Sequence, residues 1–205
     1  MSSPYEALKK YIPEGTFSLV EPHLVRNEVY LRISKPRKSK LGDYRPPHRK
    51  DIPHKISVNG NLNQYAFLVT LVHEIAHLYN FKTYGNRVAP HGVEWKSYFQ
   101  QLMLPHLEKK VFPDDIARSL INYMQNPAAS SCTDESLYLA LEAYNPQNEN
   151  VVRVGDLNPG DRFVFRNRLF KVERKLRKRY SCFEVGTHKK YYFSALAEVN
   201  PVNDN

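Results

Sequence analysis

The feature that most constrains the fold is a long stretch with helical periodicity, from Asn63 to Tyr84. Its large apolar side chains recur at intervals of three and four residues: Phe67, Leu68, Leu71, Val72, Ile75, Leu78 and Tyr79. This spacing places them on one side of an α-helix. Gly85 and Asn86 follow as a helix stop. The sequence therefore predicts a long buried helix against which the rest of its domain packs.

This apolar helix contains a polar segment, His73-Glu74-Ile75-Ala76-His77. Because His73 and His77 are four residues apart, they lie on the same helix face and can reach one metal ion. Glu74 is turned away by about 100° around the axis, which suits a general base better than a ligand. This arrangement binds zinc and activates water in metal-dependent hydrolases. Without a partner such as a metal, these buried polar groups would be destabilising.

The third metal ligand has two candidates. A catalytic zinc site needs three protein ligands and one open position. The segment His91-Gly92-Val93-Glu94-Trp95 offers both His91 and Glu94. The metzincin pattern is excluded because it requires glycine and histidine where this chain has Asn80 and Thr83. Spacing alone does not decide whether His91 or Glu94 is the third ligand.

The other elements predict an α+β protein with two units. A polar stretch, Asn145 to Asn150, is the predicted linker between residues 1–145 and 151–205. The first unit should have strands at Glu28–Ile33 and Lys55–Val58, and helices at Tyr5–Tyr11, at Asn63–Tyr84, from Gly92 to Pro105, and starting near Asp114 and Asp134. Four prolines, Pro36, Pro46, Pro47 and Pro53, argue against a long regular element between the two strands.

The second unit reads as a small β domain. Its predicted strands are Arg162–Phe165, Leu169–Arg174, Tyr180–Val185 and Lys190–Ala195. They indicate a small antiparallel sheet or an open barrel. This unit is also the more basic one, since residues 151–205 hold twelve Lys and Arg against six Asp and Glu, within a total net charge of +9. Such a surplus favours polyanionic partners.

The expected cellular compartment is inferred from the membrane and targeting signals that the sequence lacks. No apolar run is long enough for a membrane span, and the first residues resemble neither a signal peptide nor a transit peptide. We therefore expect a soluble, cytoplasmic protein with no membrane partner. Cys132 and Cys182 are too few and too far apart for a disulfide framework, so two reduced thiols are expected.

The metal motif also carries a family resemblance. An apolar helix with His-Glu-x-x-His, a loop of about a dozen residues and then His-Gly-x-Glu-Trp resembles the SprT-like metalloprotease family, which includes Spartan. The likeness covers about residues 55 to 104 and includes the strand-like Ile56–Asn59 ahead of the helix. It implies a zincin-like helical core with a small sheet, one zinc ion on His73, His77 and His91, and Glu74 as catalytic base.

The same resemblance implies a substrate class. SprT-like enzymes are zinc metalloendopeptidases that cleave proteins bound or crosslinked to DNA, and such an enzyme could be nucleoid-associated. Two basic stretches could contact DNA. The first is Lys35, Arg37, Lys38, Lys40, Arg45, Arg49 and Lys50. The second, the stronger candidate, is Lys171, Arg174, Lys175, Arg177, Lys178 and Arg179, with Tyr180, Tyr191, Tyr192 and Phe193 as stacking platforms.

The sequence departs from the family in its second unit. Many bacterial members end in a zinc ribbon with paired Cys-x-x-Cys motifs, whereas this unit has only Cys182. A degenerate ribbon without a second zinc is therefore the expectation. The alternative function is a basic nucleic-acid-binding protein with a structural or inactive zinc site. Glu74 favours the peptidase, because a structural site needs no base.

Overall fold

The computed structural model describes residues 3–37, 39–49, 51–127, 134–146, 152–177 and 179–202. The chain divides into two compact units, Met1–Asn145 and Pro146–Asn205. Residues 147–150 of the predicted linker lie outside the described ranges, as do Lys38, Lys50, Cys132 and Lys178. The fold class is α+β, with five α-helices and two sheets in the described ranges. None of these helices is both long and apolar enough to cross a lipid bilayer.

The first unit contains the helices and the smaller sheet. Its helices are α1 (Phe17–Arg26), α2 (Gln64–Tyr84), α3 (Val93–Glu108), α4 (Asp114–Gln125) and α5 (Glu135–Glu142). Its strands are β1 (Tyr30–Ser34), β2 (Gly42–Arg45) and β3 (Lys55–Asn59). A short 3-10 helix, Glu6–Lys10, precedes α1.

Helix α2 is the centre of this unit, and the prediction of a buried helix is confirmed. Its N-terminus is capped by Asn63, whose side chain accepts hydrogen bonds from the backbone N–H groups of Tyr65 and Ala66. Gly85 follows its last residue, with a φ of +61° in the region that favours glycine. Between these ends, apolar side chains such as Phe67 and Leu71 are fully buried. The metal motif is therefore held on a rigid element.

The small sheet has the order β1-β3-β2, with β3 in the centre. Strand β1 is parallel to β3, and β2 is antiparallel to it at the sheet edge. Ile56 and Val58 on β3 are buried in the same core as α2. Lys55 and Ser57 alternate with them and therefore point to the opposite face. One face of the sheet thus closes the core, and the other is polar.

Two local expectations for this unit are wrong, and one helix is not predicted from the sequence. The unpredicted helix is α1, which contains Pro22. Pro105 does not end α3, which runs on to Glu108, although the proline removes one backbone donor from the last turn. The helix expected at Tyr5–Tyr11 is a 3-10 helix at Glu6–Lys10, a tighter and shorter element.

The second unit is a six-stranded antiparallel sheet. Its strands are β4 (Val152–Arg153), β5 (Arg162–Phe165), β6 (Arg168–Lys175), β7 (Arg179–Glu184), β8 (Lys190–Ser194) and β9 (Glu198–Val202), in the order β4-β9-β5-β6-β7-β8. The four predicted strands are confirmed, whereas β4 and β9 were not predicted. Phe163, Phe170, Cys182 and Phe193 form the buried core. Cys182 is a free thiol within it.

Candidate metal centre

Three histidines converge in the first unit. His73 and His77 come from α2, and His91 comes from the loop that leads into α3. The Nε2 atom of His73 lies 3.1 Å from that of His77 and 3.3 Å from that of His91. In a tetrahedral site with metal–nitrogen bonds of about 2.0–2.1 Å, two ligand nitrogens are about 3.3 Å apart. The three side chains therefore fit a metal ion and could hold one.

Trp95 packs against all three of these imidazoles. Its ring centroid lies 4.6 Å from that of His73, 5.4 Å from that of His77 and 4.8 Å from that of His91. The indole is fully buried and stacks on Phe99 of the same helix. Its N–H also donates to the His73 carbonyl oxygen over 3.4 Å. The His-Gly-x-Glu-Trp segment thus supplies both one imidazole and the wall that orients the set.

The imidazoles are held in their neutral form. Burial lowers the pKa of His73 to about 3 and that of His77 to about 4, and the neighbouring imidazoles add to both effects. Burial also lowers the pKa of His91. Neutral imidazole is the form that binds metals. At neutral pH the set is therefore ready to bind a cation without first losing protons.

Glu74 lies beside the three histidines under strand β2. Its side chain is buried, and its carboxylate accepts a hydrogen bond from the backbone N–H of Tyr44. Burial, and then the charge of Asp43, raise the pKa of Glu74 to about 8. A cation on the histidines would oppose this rise. The cation would thus favour the deprotonated carboxylate, the form that a general base needs.

Strand β2 approaches Glu74 so closely that only glycine fits at position 42. A Cβ atom there would overlap the Glu74 carboxylate and would come within 2.7 Å of the Thr70 methyl group. Gly42 therefore lets the edge strand close over the base. The sequence predicts no strand at this position, because the surrounding prolines and basic residues are typical of a loop.

The histidines and Glu74 line one open cavity of about 570 Å³. Its walls are β2, the outward face of α2 and the loop from Gly85 to His91. Two wall residues were missed at the sequence level. The Tyr44 ring is parallel to that of His77 at 6.4 Å, and its hydroxyl bonds His54 Nδ1 at 2.9 Å. Burial raises the pKa of Tyr44, so the hydroxyl stays protonated at neutral pH.

Asn80 is the second missed residue of this cavity. It follows His77 by one helical turn, so the spacing alone could have placed it on the metal face. Its side chain is buried, and its Oδ1 atom has no hydrogen-bond partner among the described residues. A buried amide oxygen without a partner is uncommon in native proteins. Asn80 thus combines a position in the cavity wall with unused hydrogen-bonding capacity.

The structure separates the two candidates for the third ligand. His91 lies with His73 and His77 in one group of possible ligand atoms. Glu94 lies in the first turn of α3. Its carboxylate is not part of that group within the described ranges and lines no part of the cavity. The geometry thus brings His91, and not Glu94, to the pair on α2.

The candidate nucleic-acid residues of the second unit are distributed over the sheet. Lys171 and Arg174 lie on β6 and pair in register with Phe183 and Ser181 of β7, while Arg179 begins β7. Lys175 lies over the Tyr180 ring, and Arg177 lies between the strands. Lys178 is outside the described residues.

The position of Tyr180 does not favour the expected stacking role. Its side chain is only 6% exposed, and its hydroxyl donates to the Gly155 carbonyl oxygen, so no base can reach its ring. Phe193 is buried as well, at 9% exposed. Tyr191 is half-buried beneath Arg168. Tyr192, at 57% exposed, is the member of the predicted group that can be reached from solvent.

Comparison with known proteins adds one finding. The model of the SprT-like family matches residues 14–113, a range that includes the three histidines, Glu74 and all of the small sheet. No solved structure matches the chain. The family is generally metallopeptidase-like, which agrees with a metal-binding group beside a buried carboxylate.

Proposed function

We propose that this chain, whose residues 14–113 belong to the SprT-like family, is a zinc-dependent endopeptidase that cleaves DNA-associated or DNA-crosslinked proteins. The observation that carries the proposal is the convergence of His73, His77 and His91 beside the buried carboxylate of Glu74 in one open cavity. A structural zinc site is closed by four protein ligands and needs no base. Three ligands, a base and an open cavity favour catalysis.

Zinc is the proposed metal because of the donor set. Three neutral imidazoles at tetrahedral spacing suit zinc, whereas calcium and magnesium prefer oxygen ligands. When bound there, zinc would supply an activated water and polarise the scissile carbonyl group. The proposed arrangement is zincin-like, with both histidines and the glutamate on one helix.

Glu74 has the proposed role of general base and then general acid. Its carboxylate takes the proton of the attacking water and delivers it to the nitrogen of the leaving amine. The Tyr44 N–H holds the carboxylate in place, and the closed contact with Gly42 limits its rotation. A correctly positioned general base typically increases the reaction rate by about 10²–10⁴-fold.

A polypeptide substrate is supported by the edge position of β2. This strand ends the order β1-β3-β2 and forms one wall of the cavity. Edge strands expose backbone groups with which an extended peptide can pair. A peptide segment lying along β2 would cross the cavity that holds the histidines. This geometry suits cleavage within a chain.

Association with DNA is supported by charge. The chain carries a net +9, and both of its sheets bear lysine and arginine side chains on solvent-facing positions. Neutralising phosphates with such side chains gives affinity without sequence preference. Substrates would then be selected by being near nucleic acid more than by their own sequence.

A cleavage assay with paired variants tests the proposal. Zinc-loaded protein is incubated with a DNA-bound protein substrate, with and without DNA, beside Glu74→Gln and Glu94→Gln. The first variant removes the base, and the second makes the same chemical change outside the group of histidines. We expect fragments from the wild type and from Glu94→Gln, and none from Glu74→Gln. Equal cleavage by the wild type and Glu74→Gln, or none by either, would contradict the peptidase assignment.

A further inference from the structure

The small sheet has a second, polar face that the peptidase chemistry does not use. Its register aligns two cross-strand rows on this face: Tyr30, Lys55 and Arg45 in one, and Arg32, Ser57 and Asp43 in the next. These residues alternate with the buried Ile56 and Val58, so they face away from the core. Together with the segment from Ser34 to Arg37, they line a groove of about 450 Å³.

The groove is strongly cationic. Five basic side chains line it, Arg32, Lys35, Arg37, Arg45 and Lys55, against the single carboxylate of Asp43. That carboxylate is already bonded to Lys40 and Arg45, at 2.7 Å each. Arg32, Lys35 and Lys55 are exposed and form no ion pair with the described part of the chain. Uncompensated cations in one groove attract a ligand with several regularly spaced negative charges.

Arg37 provides a fixed positive charge at the floor of the groove. Its guanidinium donates to Asn59 Oδ1 at 2.8 Å and to Ser57 Oγ at 2.9 Å. A side chain that is already ordered loses little conformational entropy when a ligand binds. The free side chains around it can then adapt to the ligand.

Tyr30 distinguishes between possible polyanions. It ends the row that contains Lys55 and Arg45, and 57% of its surface is exposed. A large exposed aromatic ring beside cations suits an unpaired base, which can stack on the ring while its phosphates contact the cations. An acidic polypeptide would use the charges but would gain little from the ring.

From these observations we infer that the outer face of the β1-β3-β2 sheet binds the phosphodiester backbone of a single-stranded nucleic acid. Strand β2 belongs to both sites, because Gly42 and Tyr44 contact the cavity side while Arg45 lies in the groove. The inference adds a location to the proposed association with DNA. It does not depend on catalysis, since binding can be measured in Glu74→Gln.

The test is a fluorescence anisotropy titration of the full chain with labelled dT20 and rU20 at several salt concentrations. The groove variant is Arg32→Gln/Lys35→Gln/Lys55→Gln. The control, Lys10→Gln/Arg26→Gln/Lys109→Gln, removes the same charge from exposed sites elsewhere in the first unit. Each phosphate contact contributes about 0.7 to the slope of log K against log salt for single strands. We expect the groove variant to lose about 2 from that slope and about 100-fold in affinity at 0.1 M salt.

The control variant should keep the slope, and both oligonucleotides should behave alike because only the backbone and a stacked base are contacted. Tyr30→Ala should weaken binding about fivefold or more without changing the slope. Equal losses in the groove and control variants would overturn the inference in favour of net charge. It would also fail if Lys171→Gln/Arg174→Gln/Arg179→Gln removed the slope instead, or if polyglutamate displaced dT20 at equal charge. Unchanged binding by Glu74→Gln would keep the inference separate from the peptidase assignment.

Discussion

The two sheets of this protein are both basic, and each pairs only some of its cations within the described residues. In the second unit, Arg168 bonds Glu184 and the Tyr191 hydroxyl at 2.6 Å each, and Lys190 bonds Glu173 at 3.1 Å. In the first unit, Arg45 bonds Asp43 at 2.7 Å, whereas Arg32, Lys35 and Lys55 form no ion pair among the described residues. Paired charges stabilise a surface locally, whereas unpaired ones are available to a ligand. A count of charges along the sequence therefore does not locate a polyanion site.

The sheets also differ in what they bury. The six-stranded sheet closes over its own aromatic core, in which Phe163 stacks on Phe170. The three-stranded sheet closes over α2, and at its edge it covers a carboxylate instead of an apolar side chain. The six-stranded sheet thus covers an apolar core, whereas the three-stranded sheet also forms part of the wall around Glu74. The predictions below test this difference.

The largest effect is expected at the contact between β2 and the base. Gly42→Ala should lower peptidase activity at least about 100-fold, because the added methyl group displaces the Glu74 carboxylate, and shifts of about 1 Å cost that much. It should also destabilise the first unit by about 1–3 kcal/mol through overpacking. The matched control is Gly186→Ala in the turn between β7 and β8 of the second unit, where a Cβ meets nothing within 4 Å. Similar losses in both variants would contradict the comparison.

As the pH falls, the first unit should lose stability before the second. In the metal-free protein, His73 and His77 stay neutral when folded, with pKa values of about 3 and 4. The unfolded chain protonates them below about pH 6.5, so the first unit loses stability as the pH falls from about 6.5 toward 4. In the second unit, Arg168 holds the pKa of Glu184 at about 2, so that contribution is lost only as the pH falls from about 4.5 toward 2.

Urea unfolding at several pH values can show which unit loses stability first. Trp95, the single tryptophan of the chain, lies at the histidines and reports on the first unit by fluorescence. Hydrogen exchange of the β6 and β7 amides reports on the second. Between pH 6.5 and 5 we expect the urea midpoint reported by Trp95 to fall, while the protection factors of the β6 and β7 amides, corrected for intrinsic exchange at each pH, stay constant. Loss of protection in the second sheet first would contradict the assignment of these pKa shifts.

The smallest expected changes are in the free energy of unfolding, and they should have opposite signs in the two units. The buried Oδ1 atom of Asn80 in the first unit has no hydrogen-bond partner in the described ranges, so Asn80→Leu should stabilise the protein by about 1 kcal/mol. Ser181 in the second is buried but bonds Glu173 Oε2 at 2.6 Å, so Ser181→Ala should destabilise it by about 1 kcal/mol. Thermal unfolding of both variants measures the difference. Destabilisation by Asn80→Leu would indicate that the amide already has a structural role.

The sequence predicted those parts of the fold and site that depend on local periodicity. Helix α2, with His73, Glu74 and His77 in fixed relative positions, follows from spacing alone. Four strands of the second sheet follow from alternation and turn residues. The choice of His91 over Glu94 did not follow from spacing, because the loop before α3 decides which side chain turns inward. It came from the family resemblance and agrees with the observed geometry.

The parts that escaped prediction depend on tertiary contacts. Strand β2 is four residues long and lies among prolines, and it forms because β3 offers a partner for pairing. Tyr44 reaches the cavity only through that pairing. Helix α1 contains a proline and is held by the burial of Val20 and Leu24 in the common core. Short elements of this kind are specified by their surroundings more than by their own residues.

We propose that His73, His77 and His91 together bind the metal. The most direct measurement is the zinc content of the purified full chain by mass spectrometry, in the wild type, His91→Ala and Glu94→Ala. We expect about one zinc per chain in the wild type and in Glu94→Ala, and about tenfold less zinc or lower in His91→Ala, because this variant keeps only two of the three ligands. The reverse ranking, with zinc retained in His91→Ala and lost in Glu94→Ala, would contradict it.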